Sequence, residues 1–110
     1  MVTKRIKTSE VINKFLREIS KHLSAKKVLL FGSYARGQAK KYSDVDIAII
    51  SDDFKGIKYL DRLVMLGMIA WQSKTTEIEA MGFTVDEYNH ASRLDLLGEI
   101  KRKSSVIYGE

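Results

Sequence analysis

The sequence predicts an α/β domain, and three observations carry that reading. Two apolar runs of strand length, Val28–Phe31 and Ile47–Ile50, flank a polar, basic loop. Apolar residues recur at helical spacing before that pair, over residues 10–23, and an apolar helix is expected after it, over residues 57–72. A further alternating segment, Thr76–Phe83, follows, so strands and helices interleave along the chain.

The 110 residues hold one domain, 1–110, with one modest core. An apolar content of 45% is that of a globular chain and argues against disorder. The absence of cysteine excludes disulfides and thiolate metal sites. No apolar run reaches membrane-spanning length and no signal-type apolar segment opens the chain, so the expected location is cytoplasmic, with no membrane role. A net charge of +5 points to an anionic partner: a nucleoside triphosphate, nucleic acid or an acidic protein face. Nucleic acid ranks last, because no aromatic-rich basic platform is visible.

Ser9 is placed to cap a first helix from Glu10 to about Leu23, and Val11, Ile12, Phe15, Leu16, Ile19 and Leu23 form its inward stripe. His22 reads as a rim residue. Ser24-Ala25-Lys26 turns into a first strand, Lys27–Phe31. The chain then breaks at Gly32-Ser33, where a short helical turn, Ser33–Arg36, is closed by Gly37. Gln38–Tyr42 forms a loop whose Lys40 and Lys41 either solubilise it or attract an anion. Ser43-Asp44-Val45-Asp46 enters the second strand, and Asp44 and Asp46 share one of its faces.

Ser51–Gly56 is a loop, with Asp52 and Asp53 as loop and cap residues. The helix over 57–72 carries apolar residues around much of its circumference, more than one stripe requires. It is either buried on two sides or meets another chain, and Gly67 would let a neighbouring backbone approach. In the third strand Glu77 and Glu79 share a face. Thr84 and Glu87 form a capping box that opens a helix at Val85. Ser92 is placed to cap a helix over Arg93–Lys103 with Leu94, Leu97 and Ile100 inward, and Ser105–Tyr108 is a closing strand whose Tyr108 is either packed or exposed near the site.

The central segment has the equipment for phosphoryl or nucleotidyl transfer. Two carboxylates one strand repeat apart repel unless a cation lies between them, and Mg²⁺ is a hard ion held by carboxylates together with substrate phosphates. Gly32 permits close backbone approach, Ser33 offers a hydroxyl and an amide at a helix start, and Arg36 follows within reach of the same anion. A Gly-Ser turn or an Asp-x-Asp alone is commonplace; their joint occurrence between two apolar runs is not.

Phe31-Gly32-Ser33, Ala35-Arg36-Gly37 and Ser43-Asp44-Val45-Asp46-Ile47 resemble the signature of the DNA polymerase β-like nucleotidyltransferases, and more narrowly their minimal, single-domain members. The resemblance implies a small mixed sheet backed by helices, with the acidic site on one edge. It implies that Gly32, Ser33 and Arg36 hold the phosphates of ATP or another nucleoside triphosphate. It also implies that Asp44 and Asp46 hold two Mg²⁺ ions, and that a third carboxylate completes the site and acts as base. Glu79 matches that third position best and Glu77 is the alternative; the family usually has aspartate there. Minimal members often pair with a HEPN-domain protein as its antitoxin, and some adenylylate a partner tyrosine. The implied activity is Mg²⁺-dependent transfer of AMP to a hydroxyl, with a HEPN-type partner, a second copy through the 57–72 helix, or both. Two alternatives stand beside it: a non-catalytic antitoxin that keeps the fold, and a transferase acting on a small molecule.

Overall fold

The computed structural model describes residues 4–32, 45–92 and 95–109. The turn expected over Ser33–Arg36, the lysines of the following loop, and Ser43, Asp44, Arg93 and Leu94 lie outside the described residues. Strands β1 (Lys27–Phe31), β2 (Val45–Ile50), β3 (Ile78–Phe83) and β4 (Ser105–Tyr108) form a mixed sheet in the order β3-β2-β1-β4. β1 runs antiparallel to both β2 and β4, whereas β2 and β3 are parallel. Parallel neighbours need a crossover connection, and helix α2 (Tyr59–Gln72) supplies it. The fold is thus the predicted mixed sheet with helices.

β2 is covered on both faces, which explains its unbroken apolar run. Ile47 and Ile49 point to the layer containing helix α1 (Lys4–Ile19) and α2, where Phe15, Ile19, Leu66 and Ile69 meet them. Ala48 and Ile50 point the other way, to Leu97 and Ile100 of helix α4 (Leu96–Lys103). The short helix α3 (Val85–Asn89) precedes α4.

The inward stripe of α1 is as the spacing predicts: Ile12, Phe15, Ile19 and Leu23 are buried, with Val11 and Leu16 packed beside them. Its start is not. The helix begins at Lys4, so Ser9 lies inside it and does not cap it. The preceding Lys-Arg-Ile-Lys run contains no residue that stops a helix, and a serine caps only where the chain before it is non-helical. At the other terminus Asp95, not Ser92, caps α4, accepting from the Gly98 amide at 2.7 Å and the Ser92 amide at 3.0 Å. A carboxylate reaching two amides takes the role from the serine three residues earlier. The box at Thr84 and Glu87 forms as predicted. β4 also forms, but its side chains are exposed and Tyr108 is 55% accessible, so that tyrosine is not packed away.

One buried charge went unread in the sequence. Arg62, 6% exposed, pairs with Glu87 at 2.7 and 3.2 Å and donates to the carbonyls of Ile57 and Gly82. The contacts to Gly82 and Glu87 fix α2 to β3 and to the cap of α3, and the one to Ile57 holds the turn that leads into α2. The Arg62 guanidinium holds the Glu87 carboxyl below its ordinary range; partial burial opposes that, and the Thr84 amide adds to it. Because the folded state has the lower pKa, the linkage stabilises above the unfolded glutamate range and fades as pH falls through the folded value.

Two measurements check this packing. Glu87→Gln should lower stability at neutral pH by about 1 kcal/mol, and a urea-melt series should show that difference shrinking below roughly pH 4. A Cβ on Gly82 would lie 2.6 Å from the fully buried Phe54 ring, so Gly82→Ala should cost about 1–3 kcal/mol in the same melts.

Candidate functional site

β1 delivers the glycine and β2 the aspartate. Phe31 is the register partner of Asp46, so the chain leaves β1 directly beside that carboxylate. Gly32 takes φ +75°, a left-handed conformation that L side chains rarely adopt. A Cβ at Gly32 would overlap Asp46 Oδ2 and stand 3.2 Å from its Cγ. The Asp46 carboxylate therefore lies against bare glycine backbone.

β3 brings the second acid. Asp46 and Glu79 are register partners on parallel neighbouring strands, so their side chains leave the same sheet face. Adjacent strands run about 4.8 Å apart, which puts the two carboxylates within reach of one small cation. That face is the α4 side, since Ala48 and Ile50 share Asp46's orientation. Asp46 is half-buried and Glu79 exposed. Glu77 precedes β3, and its carbonyl accepts from the Val45 amide at 2.8 Å.

Three of the sequence-predicted site residues are thus together: Gly32, Asp46 and Glu79. Asp44, Ser33 and Arg36 lie outside the described residues. Among the described residues no group of three His, Cys, Asp or Glu side chains forms a metal cluster, and Asp44 is not among them. The acid pair spans the edge strand β3 and its inner neighbour β2, at one edge of the sheet. Both acids offer hard oxygen donors of the kind Mg²⁺ takes.

The sequence reading missed the wall beside Gly32. A pocket of about 170 Å³ adjoins Gly32 and is lined by Phe31, Leu96, Glu99, Ile100 and Lys103. Lys103 and Glu99 pair at 3.0 Å on its α4 side. The four-residue spacing of Glu99 and Lys103 is a visible helix pair; that it faces the glycine turn depends on how α4 docks. Asp52 and Asp53 lie elsewhere, as expected. Asp53 accepts from the Ser24 amide at 2.7 Å, and Asp52 lies 3.4 Å from the Val85 amide.

Residues 11–106 match the nucleotidyltransferase domain family, and the chain belongs to it. Two Methanocaldococcus jannaschii proteins provisionally named protein adenylyltransferases are similar to it. One is 37% identical over 59 residues, covering 52% of this chain and 60% of the relative; the other is 40% identical over 40 residues, covering 36% and 46%. The matches thus span about half the length of those relatives. In fold, the chain is similar to a crystal structure from Sulfolobus solfataricus assigned as a nucleotidyltransferase, with TM-score 0.72, 18% identity, and 96% and 83% of the two chains covered. It is also similar to a chain of a toxin–antitoxin structure with AMP-PNP, with TM-score 0.61, 20% identity, and 89% and 73% covered. No described helix is long and apolar enough to cross a membrane.

Gly32→Ala should lower stability by roughly 1–2 kcal/mol through its left-handed φ and push the Asp46 carboxylate aside. Urea denaturation measures the first effect; an unchanged midpoint would show that the turn tolerates a side chain.

Proposed function

We propose that this domain transfers a nucleoside monophosphate, AMP from ATP, to a hydroxyl acceptor. The observation that carries the reading is the in-register pair Asp46 and Glu79 beside the bare backbone of Gly32. Family membership supports the reaction class.

In this mechanism the amides and hydroxyl at Gly32-Ser33 bind the β- and γ-phosphates, with Arg36 assisting. Asp44, Asp46 and Glu79 are the residues that would hold two Mg²⁺ ions, which when bound neutralise phosphate charge and lower the cost of forming an alkoxide. Glu79 accepts the proton of the attacking hydroxyl. The acceptor oxygen forms a bond to the α-phosphorus, the α–β bridging bond breaks, and its electron pair leaves with pyrophosphate. Glutamate at position 79 carries one more methylene than the aspartate usual in such sites, and the direct register of Glu79 with Asp46 sets the span that the longer arm must bridge.

The acceptor we assign is a tyrosine on a partner protein of HEPN type, which would make this chain the antitoxin of the pair. The names of the protein adenylyltransferase relatives and the toxin–antitoxin fold neighbour support a protein acceptor and a nucleotide substrate. A second reading, an antitoxin that binds without chemistry, is favoured by one feature: glutamate in place of aspartate on β3.

Incubation with labelled ATP, Mg²⁺ and the candidate partner separates the two. Wild type should transfer label. Asp44→Asn, Asp46→Asn and Glu79→Gln should each lose at least a hundredfold in rate, the order of magnitude of losing a catalytic acid or base, with unchanged melts. Retained transfer in the Asp46 variant would remove the basis of the mechanism; binding of the partner without transfer by wild type would favour the second reading.

A further inference from the structure

We infer that α2 is the contact helix of a homodimer, paired antiparallel with α2 of a second copy. Its outer surface carries Leu60 (72% exposed), Val64 (62%), Met68 (58%) and Trp71 (74%). These residues recur at helical spacing and so form one stripe down the helix. A soluble surface rarely leaves four large apolar side chains in line.

Area and shape favour a second copy as occupant, and the stripe itself carries no charge that would oppose one. With the four side chains fully covered the stripe offers on the order of 600 Å² per copy, so a symmetrical pair reaches at most roughly 1,200 Å², the lower edge of specific interfaces. A Cβ on Gly67 would meet nothing within 4 Å, so the stripe has a notch near its middle. Antiparallel pairing about a two-fold axis at the stripe's midpoint sets Val64 of each copy against that notch in the other. The same operation sets Leu60 against Trp71, so the largest side chain of each copy meets a smaller one, as suits a self-complementary patch. Two copies carrying +5 each repel over most of their surface. The exposed face of α2 carries Asp61 as its charged residue, since Arg62 is turned inward onto Glu87.

This contact lies away from the acids. α2 packs on the layer of Ile47 and Ile49, while Asp46 and Glu79 leave the opposite sheet face. Dimerisation therefore leaves both sites open and is independent of the proposed chemistry.

Sedimentation equilibrium of the full chain over a micromolar concentration series tests the inference. Wild type should approach twice the monomer mass. Val64→Glu should raise the dimer dissociation constant at least tenfold. Gly67→Leu should do so too, by filling the notch, while its melting temperature stays level or rises because leucine is the better helix former. A wild-type chain monomeric throughout, as expected if the stripe serves only a different protein, overturns the inference. A dimer unaffected by both variants overturns it equally.

Discussion

The parallel register of β2 on β3 is the constraint on which the rest depends. It sets Val45 beside Ile78 in the buried layer and, one residue on, Asp46 beside Glu79 on the other face. Side chains alternate strictly along a strand, so these two placements cannot be separated. A slip of one residue would turn Ile78 out of the core and Glu79 into it, at the cost of a buried apolar contact and a buried charge. The packing of the core and the pairing of the acids are one choice, enforced by hydrophobic burial far more than by anything at the acids themselves.

The sheet divides the molecule's tasks between its faces. One layer holds α1 and α2 and contains the larger core. The other holds α3 and α4 on a smaller core, which leaves room for polar groups at the end where β1 stops and β2 begins. Arg62 links the two sides: it belongs to α2, yet its guanidinium ends on the cap of α3 and on the carbonyl of Gly82 in β3. The crossover helix is therefore held by a directional, charged contact as well as by its apolar stripe.

Much of this was legible along the chain, for reasons that differ between elements. β1 was readable because four consecutive apolar residues, Val28–Phe31, sit between polar turns, and the box at Thr84 because both of its partners are local. Ser9 and Ser92 misled because a serine's capping value depends on what precedes it and on whether a stronger acceptor follows. The apolar breadth of the 57–72 helix was visible, but not which part of it faces outward, since that follows from how the crossover lies on the sheet. Glu79 and Glu77 could not be separated by alternation, which treats them alike; pairing across strands distinguishes them. Arg62 was invisible because its partner comes 25 residues later in the chain and is brought near only by the fold.

The contact between Gly32 and Asp46 ties the rotamer of one residue to the bareness of the other. A side chain at position 32 meets the Asp46 carboxylate where it now stands, and the left-handed backbone there disfavours one in any case. The glycine thus acts as a spacer for the Asp46 oxygens, so a substitution at position 32 reads out first as a change in carboxylate orientation.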